Sequence, residues 1–507
     1  MTNRIASVLL LFALVFAATV VYLIPAAQAL CIPTYGAGNV QAIAEGNNLY
    51  VLWEYGAWNP GGSSGDSSSG DHYLQFKRST DAGKTFGETV NIHHANPNCG
   101  LFPRMAVDGN NLYIMWQDNG VLLRASNDNG ASFGETITLG DGWIGSKGYP
   151  SAYEDGGQVI ARDGKVYAIW QSDTDGNILF RKSDDAGSTF GTLAKLNEIN
   201  DSYRPKMTVS GSNVYATWTE GYTCTEQPKP ACQSKVMFVK SIDYGQTFSK
   251  PVSFESLTGD SLSTPVVLDM AADDKYVNVL WREGGFLANE DSNYYLSGSN
   301  DEGLSFSAKV ALLTADDYEF TYITDLTAIG DTAYALKRSR DDAVAIKSVD
   351  GGSPISAQIP IPVKFPTSEG RFVLRDKDHA YLLLPMYSEK DVRVLVVSAR
   401  EGSVSPSQVE LLRRDYAPDS SSSEFLMGAS GDIVHVLWVD STGPQSDYEQ
   451  QIVVRTSTDA GKSFGDSVQL ANMVTVPEFG SIATGFMAAG IVGSIVLVRR
   501  LQDRHKS

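Results

Sequence analysis

Short apolar runs recur along the chain, and each begins after a turn of glycine, asparagine or aspartate. The first run reads LYVLW at residues 49–53, and five later runs also end in tryptophan, at Trp116, Trp170, Trp218, Trp281 and Trp438. Two further runs, 333–337 and 380–384, lack the tryptophan. Runs rich in aromatic and β-branched residues favour strands, and no sustained helical period occurs between Val40 and Leu470. The pattern predicts an all-β protein.

An octapeptide, Ser-x-Asp-x-Gly-x-x-Phe, follows most of these runs. Complete copies occupy residues 79–86, 126–133, 183–190, 241–248, 299–306 and 457–464. A copy at 348–352 lacks the phenylalanine, and a copy at 398–402 has also lost the aspartate. The aspartates of these boxes are Asp81, Asp128, Asp185, Asp243, Asp301, Asp350 and Asp459. The units recur at a mean spacing of about 54 residues, which indicates a repeat architecture.

Each unit reads as strand, turn, strand, loop, strand, box and strand. Four antiparallel strands repeated eight times predict a β-propeller of eight four-stranded blades over residues 40–470. Within a box, serine and aspartate bond the backbone of their own turn, glycine adopts positive φ, and phenylalanine packs into the sheet. We interpret the boxes as structural. Calcium binding is the alternative, but one carboxylate per box supplies too few ligands, and we expect no metal or cofactor.

The N-terminal segment has the features of an export signal. Arg4 precedes an apolar run at residues 5–24, and the small-residue site Ala27-Gln28-Ala29 follows. These features predict a signal peptide over residues 1–29 and a lead segment over 30–39. Two alternatives remain: the run is long enough to be an uncleaved anchor, and Cys31 could carry a lipid, although Leu30 is bulky for that purpose.

A second apolar segment lies near the C-terminus. Residues 482–498 carry no charge and are just long enough to span a bilayer, and the tail at 499–507 is basic. Positive flanking charge is typical of the cytoplasmic side of a membrane. The sequence therefore predicts a linker over 471–481, a transmembrane helix over 482–498, a cytoplasmic tail and an ectodomain displayed at the cell surface.

Four cysteines are present in a chain that is predicted to be exported, and exported proteins form disulfides. Cys224 and Cys232 share one proline-containing loop and are natural partners, which leaves Cys31 to pair with Cys99. A zinc site is the alternative, but no CxxC pair or histidine cluster supports it.

Charge and composition narrow the class of partner. The chain of 507 residues has 59 acidic and 40 basic side chains, for a net charge of −19. Such a surface repels phosphate backbones, so we expect no nucleic-acid partner. Hydrophobic residues make up 42% of the chain, which suits a large folded core rather than a disordered protein.

The boxes and their spacing resemble the Asp-box repeats of the sialidase-like β-propeller superfamily, over almost the whole mature chain. The resemblance implies the fold but no single activity, because the same box occurs in sialidases, glucan-degrading enzymes and non-enzymatic surface proteins. The tail Pro477-Glu478-Phe479-Gly480, which precedes the apolar span, resembles the archaeal PEFG sorting signal. That second resemblance implies a membrane sortase that would cut the span away after export.

Sialidases of this superfamily hold the substrate carboxylate with three arginines and use a tyrosine nucleophile, a glutamate and an aspartate. Three arginines here, Arg104, Arg204 and Arg371, lie near the start of first strands, and Arg282 is expected on a loop. The chain departs from the family because residues 102–105 have the wrong order for its Phe-Arg-Ile-Pro type of motif. It also has eight units where a sialidase has six blades, and a wider ring makes convergence of the arginines harder.

Strand direction places the loops between second and third strands on one end of the ring, face A, and the box turns on the other end, face B. The face A loops vary in length, and the longest contains Tyr55 and Trp58, whose rings suit sugar stacking or loop packing. Acids lie two residues after strand-two tryptophans, at Asp118, Glu220, Glu283 and Asp440. They form either a ligand-binding ring or a soluble rim, since acids commonly end strands.

These observations favour display over chemistry. We predict a non-catalytic cell-surface protein that binds a glycan, an envelope component or another protein through face A. The alternative is a glycoside hydrolase, sialidase-like or using two carboxylates, that acts on surface glycans. Convergence of Arg104, Arg204 and Arg371 on one point would favour the enzyme.

Overall fold

The computed structural model describes residues 36–473 except for segments between strands, which are 57–71, 96–99, 146–155, 174, 225–230, 261–264, 285–291, 314–321, 339–342, 350–354, 362–370, 377–378, 388–390, 401–402, 414–420 and 443–448. The predicted signal peptide, the sorting motif at 477–480 and the apolar segment at 482–498 lie outside the described residues. Within the described part of the chain, no helix is long and apolar enough to cross a membrane.

Every element in the described part is a β-strand. The first four sheets in chain order, blades 1 to 4, contain β1 (Gly36–Glu45), β2 (Asn48–Gly56), β3 (His72–Ser79), β4 (Val90–Ala95), β5 (Arg104–Asp108), β6 (Asn111–Gln117), β7 (Val121–Ser126), β8 (Ile137–Gly140), β9 (Gln158–Arg162), β10 (Lys165–Gln171), β11 (Ile178–Ser183), β12 (Ala194–Lys195), β13 (Ser202–Ser210), β14 (Asn213–Cys224), β15 (Ala231–Ser241) and β16 (Val252–Asp260).

Blades 5 to 8 continue the same pattern. They contain β17 (Val266–Asp273), β18 (Tyr276–Gly284), β19 (Ser292–Ser299), β20 (Val310–Leu313), β21 (Tyr322–Ile329), β22 (Thr332–Arg338), β23 (Ala343–Ser348), β24 (Ile355–Ile361), β25 (Arg371–Asp376), β26 (His379–Tyr387), β27 (Asp391–Arg400), β28 (Ser403–Arg413), β29 (Ser421–Ser430), β30 (Ile433–Thr442), β31 (Glu449–Ser457) and β32 (Val468–Met473).

Each blade is a meander of four sequential antiparallel strands. The first strand of every blade packs against the first strand of the next, from β1 to β5 and onward to β29, and β29 packs against β1. The first strands therefore form a closed cycle of neighbours, as in a propeller. The prediction of an all-β fold made of four-stranded antiparallel sheets is confirmed.

The hydrophobic core lies between blades because alternate residues of a strand face opposite sides of its sheet. In β6, the buried Trp116 packs with Leu52 and Phe76 of blade 1, whereas Tyr113 packs with Val166 of blade 3 and its neighbours. All six strand-two tryptophans are buried. The apolar runs of the sequence are thus second strands that contribute to two interfaces at once.

Blade 8 closes onto blade 1 through side chains. Val40, Ala44 and Trp53 of blade 1 share one apolar cluster with Leu437 and Ile452 of blade 8. Two hydrogen bonds reinforce this seam: Lys77 Nζ donates to Leu470 O at 2.6 Å, and Gly46 N donates to Ser430 Oγ at 2.8 Å. Both blades keep their own four strands, so no sheet is shared across the seam.

The two decayed boxes still belong to complete blades. In blade 1, β3 ends at Ser79 and β4 begins only at Val90, so a complete box forms a long turn. In blade 6 the corresponding connection shortens, and Ser348 pairs with Ile355. In blade 7, Arg400 pairs with Ser403, so only two residues lie between the paired strands. Loss of the box shortens the turn without removing the strands.

Strand register defines the two ends of the ring. In blade 8, Ser421, Ser441, Gln450 and Met473 lie in one row across the sheet. This row marks face A, which carries the start of the first strand and the end of the fourth. The hairpins between first and second strands and the box turns lie at the opposite end, face B; for example, Ala82 N donates to Asn47 O at 2.9 Å.

Candidate functional site

The complete boxes on face B are self-contained hydrogen-bonded turns. Asp81 Oδ1 accepts bonds from Ser79 Oγ at 2.7 Å and from Thr85 N at 2.9 Å, while Oδ2 accepts from Thr85 Oγ1 at 2.6 Å. Ser79 Oγ accepts from Gly83 N at 2.9 Å. Five other aspartates make the same bonds to their own turns, namely Asp128, Asp185, Asp243, Asp301 and Asp459. The carboxylates are therefore occupied within the turn.

These hydrogen bonds favour the ionised carboxylates. Bonds from the hydroxyl and the amide of Thr85 lower the pKa of Asp81 to about 2, and the same arrangement lowers the pKa of Asp128 to about 2. Asp350 lies outside the described residues. Among the described residues, no group of three or more His, Cys, Asp and Glu side chains is arranged to hold a metal ion.

The box glycine allows each turn to approach the preceding blade. Gly187 has a φ of +79°, and a Cβ placed there would lie 2.7 Å from the Tyr113 ring. Gly83 has a φ of +75° and faces the seam, where a Cβ would lie 2.6 Å from Thr456 Oγ1 and 3.1 Å from His435 Nδ1. Face B is thus an inter-blade structural zone.

On face A, the residue directly after a strand-two tryptophan points toward the next blade. Glu54 Oε1 accepts from Phe102 N at 2.7 Å. Gln117 Oε1 accepts from Ile144 N at 2.8 Å, and Thr219 Oγ1 accepts from Val267 N at 3.3 Å. In each case a side chain of one blade accepts a hydrogen bond from a backbone amide near the start of the following blade. These three side chains connect neighbouring blades and are buried.

Glu54 is the one carboxylate among these connecting side chains. It also accepts a bond from Asn39 Nδ2 at 2.8 Å, and His72 Nε2 lies 3.3 Å from its second oxygen. Glu54 is 0% exposed and His72 is 5% exposed. A buried carboxylate requires such partners, so Glu54 serves the blade 1–blade 2 interface.

The acids two residues after the tryptophans point toward the preceding blade and have different surroundings. Asp118 Oδ2 lies 2.7 Å from His93 Nε2 of β4, and both side chains are 21% exposed. The His93 ring also lies against Trp116. Asp440 accepts a bond from Gln451 Nε2 at 3.3 Å and is 8% exposed. The Asp118 contact joins blade 2 to blade 1, whereas the Asp440 contact lies within blade 8.

Glu283 belongs to a compact cluster on blade 5. Its Oε1 accepts bonds from Trp281 Nε1 at 2.9 Å and from Lys309 Nζ at 3.1 Å. Lys309 Nζ also lies 4.3 Å from the centre of the Tyr295 ring. An ammonium group between a carboxylate and an aromatic face is well stabilised, so Glu283 has a fixed partner.

Glu220 differs from the other rim acids. It is 5% exposed, and its Oε2 atom has no hydrogen-bond partner among the described residues. Burial raises the pKa of the Glu220 carboxyl, since desolvation disfavours the charged form. Of the predicted rim acids, it alone has these properties in the described part of the chain.

Two of the predicted arginines, Arg104 and Arg204, have contacts of their own in the described part of the chain. Arg104 begins β5 and donates from Nε to Gly157 O at 3.1 Å and from Nη1 to Pro103 O at 2.8 Å. Arg204 has a φ of +55° at an irregularity in β13 and is 8% exposed, with its guanidinium 6.0 Å from the Tyr203 ring. The two arginines lie on β5 and β13, which β9 separates in the cycle.

Two positions correct or limit the prediction. Arg282 is not on a loop: it lies within β18, opposite Val266 and Tyr294. The strand continues because antiparallel pairing persists to Gly284, which is the end of the element. Arg371 begins β25 opposite Leu383, and its side chain is outside the described residues.

Second strands extend farther toward face A than the sequence indicated. β14 reaches Cys224 and β15 starts at Ala231, so only residues 225–230 remain between them. The backbone register places Cys224 opposite Cys232. Cys31 and Cys99 lie outside the described residues, so the pairing of these two cysteines stays a prediction.

Of the two aromatic residues predicted for the long blade 1 loop, the structure describes only Tyr55. Tyr55 lies in β2 opposite Tyr73, is half-buried, and has a pKa that burial raises. Trp58 lies outside the described residues. Sequence reasoning did not select His72, His93 or Lys309. His72 begins β3 at face A and His93 lies near the face A end of β4, whereas Lys309 precedes β20 and reaches Glu283 through its long side chain.

Comparisons with known proteins return structural similarity at low sequence identity. No family model matches the chain, and no curated protein matches it. Similar solved structures include polysaccharide lyase Uly1, with 12% identity, 75% of this chain and 95% of that chain covered, and a TM-score of 0.42. The Trypanosoma rangeli sialidase is 12% identical, with 87% of this chain and 86% of that chain covered and a TM-score of 0.33. The Penicillium chrysogenum α-L-arabinanase is 13% identical, with 61% of this chain and 93% of that chain covered and a TM-score of 0.35.

Proposed function

We propose that the chain is an exported surface protein, tethered to the membrane or processed by a sortase, that binds a ligand through face A without catalysis. The ligand class is a glycan, an envelope component or another protein. The observation that carries this proposal is that charged side chains near face A are already bonded to other groups of the protein. Glu54, Arg104 and Glu283 each bond a neighbouring group of the protein.

Catalysis on a sugar needs side chains that meet at one reacting centre. A carboxylate acting as nucleophile or base must reach the substrate, and its partner must lie on the other side of the bond. Glu54 and Glu220 are almost wholly buried, and Arg104 and Arg204 lie on strands that are not neighbours in the cycle. These placements favour a binding scaffold.

The contrast between the two faces supports face A as the binding end. The six complete boxes repeat one hydrogen-bond pattern on face B, where uniform turns serve the fold. On face A, the connections between second and third strands range from residues 118–120 in blade 2 to residues 57–71 in blade 1. Variable connections on a fixed scaffold are where binding specificity usually resides.

A two-carboxylate glycosidase is the second candidate. Its support comes from two acids on adjacent blades. Burial raises the pKa of Glu220 in blade 4, and Glu283 in blade 5 accepts a hydrogen bond from Lys309 of the same blade. Two carboxyl groups in environments that differ in this way can act as acid and base. The burial of Glu220 opposes this role, because a general acid must contact the leaving group.

Glycan-array binding and a fluorogenic sialoside assay test the proposal together. We expect the purified chain to bind an array or envelope fraction. Tyr55 packs against the apolar cluster of blades 1 and 8, so Tyr55→Ala should lower the melting temperature somewhat, and we expect it to weaken binding at a temperature where the variant is still fully folded. Lys84→Ala, on an exposed box turn of face B, is the matched control. Release of sialic acid by the wild-type chain that Arg104→Ala abolishes would replace the binding proposal with an enzyme.

A further inference from the structure

Both ends of the propeller leave from face A. In blade 1 the row across the sheet is Gly36, Gly56, His72 and Ala95, so β1 starts at the face A edge. In blade 8, β32 ends at Met473, in the face A row described above. Whichever apolar segment acts as anchor, the chain that leads to it departs from the same end of the ring.

The connecting segments are short compared with the height of the blades. Eight residues separate Met473 from the apolar segment at 482–498, and fully extended they span on the order of 30 Å. β30, from Ile433 to Thr442, runs from face B to face A, and ten residues of strand rise roughly 33 Å. A linker that ran down the edge of blade 8 to face B would use its whole length.

The N-terminal end leads to the same geometry. Eleven residues separate the apolar run at 5–24 from Gly36, which corresponds to at most about 40 Å of extended chain. β1 is the innermost strand of its blade, so this segment leaves near the middle of face A. Reaching face B from there would require passage across the disc as well as down its side.

We propose that, in the tethered protein, face A is turned toward the anchoring membrane and face B is turned away from it. This inference rests on the membrane tether in the proposed function. It also narrows the ligand: a molecule bound on face A belongs to the envelope of the same cell, because face A lies within a linker length of that cell's own bilayer. Molecules arriving from outside meet the box turns of face B first.

Energy transfer to labelled lipid headgroups tests the orientation. The full chain is reconstituted into phosphatidylcholine vesicles that carry a headgroup acceptor dye, with one fluorescent amino acid as donor. Asn119 on face A and Ala131 on face B are both exposed and belong to blade 2, so they form a matched pair. Asp175 and Ser188 provide the same comparison in blade 3, should a blade 2 variant melt below the wild type.

We expect several-fold higher transfer efficiency from the face A donor than from the face B donor, in both blades. Equal or reversed efficiencies in a chain that floats with the vesicles would overturn the orientation and leave the tether intact. A full chain that does not float with vesicles would remove the tether from the proposed function, and the orientation with it. Ligand binding by the purified chain is measured separately and is unaffected by either outcome.

Discussion

Each described box aspartate accepts hydrogen bonds at both carboxylate oxygens from groups of its own turn. Because these bonds need no residue outside the turn, aspartate can recur at the same position in one repeat after another. The roles of Ser79, Asp81 and Gly83 follow from donor and acceptor chemistry within eight residues, so they could be predicted from the sequence. The rim acids could be predicted less well. Glu54 and Asp118 differ by one position relative to their tryptophans, which turns them toward opposite blades. Each contacts a residue of a neighbouring repeat, Phe102 for Glu54 and His93 for Asp118.

Removal of one box carboxylate should cost stability and leave binding intact. We expect Asp81→Ala to lower the free energy of unfolding by about 1–2 kcal/mol. The hydrogen bonds from Thr85 and Ser79 are lost, and water compensates for only part of them. Denaturant unfolding of the chain gives this difference. Lys84→Ala in the same turn is the control and should change it little. Loss of ligand binding by a fully stable Asp81→Ala variant would move the site to face B.

His435 should make the seam sensitive to acid. Its side chain is 0% exposed, and burial lowers the pKa of His435 from 6.5 to about 4. Below pH 6.5 the unfolded chain binds a proton that the folded chain excludes, so stability is present above that pH and declines toward pH 4. The loss reaches about 3 kcal/mol at most.

The matched variant is His435→Gln, which keeps a polar side chain at the seam but does not titrate. We expect the difference in unfolding free energy between pH 7 and pH 4.5 to be smaller in this variant than in the wild type. The comparison uses the pH dependence, so any constant change in stability cancels. An unchanged pH dependence would show that other groups control acid unfolding.

At the scale of elements, the second strands were predicted well because their apolar runs are strongly marked. The ends of these strands were not, since pairing continues through residues with no apolar pattern. β14 and β15 illustrate the point: their hairpin extends to Cys224 and Cys232, although the sequence indicated that both cysteines lie in a loop. Hydrogen bonds between backbones do not depend on side-chain pattern, and this explains the difference.

The extended hairpin gives the cysteine prediction a geometric basis. Directly opposite Cα atoms in an antiparallel pair lie about 4.5–5.5 Å apart, within the range that disulfides span. We expect non-reducing peptide mapping of the exported protein to show Cys224 linked to Cys232. Cys224→Ser should leave Cys232 reactive toward a thiol reagent. Recovery of both cysteines as free thiols in the wild type would contradict the prediction.

At the scale of the whole molecule, ring closure depends on side chains at the seam. Residues 40 and 44 pack on blade 8 across nearly the full length of the sequence, a contact that no local pattern specifies. The repeat count predicted that the first and last blades should meet. Which side chains meet there, including His435 beside the Gly83 turn, became visible only in the structure.

Removal of blade 8 should therefore open the ring. We expect a chain truncated after residue 420 to lose cooperative unfolding and to bind a hydrophobic dye, because the apolar seam surface around Trp53 becomes exposed. A chain truncated after Met473 keeps all four strands of blade 8 and serves as the control. Cooperative unfolding of the shorter chain at the temperature of the control would show that blade 8 does not close the fold.

The contiguity of every blade has a consequence for how such a chain can change over generations. Because no sheet combines strands from the two ends of the chain, duplication or deletion of one repeat leaves every backbone ladder whole. Such an event alters only the circumference of the disc and the angle between neighbours. Blades 6 and 7 have incomplete boxes and keep all four strands, so a complete box is not required for a blade to take its place in the ring. Blade number is then a heritable quantity that can rise or fall by single steps.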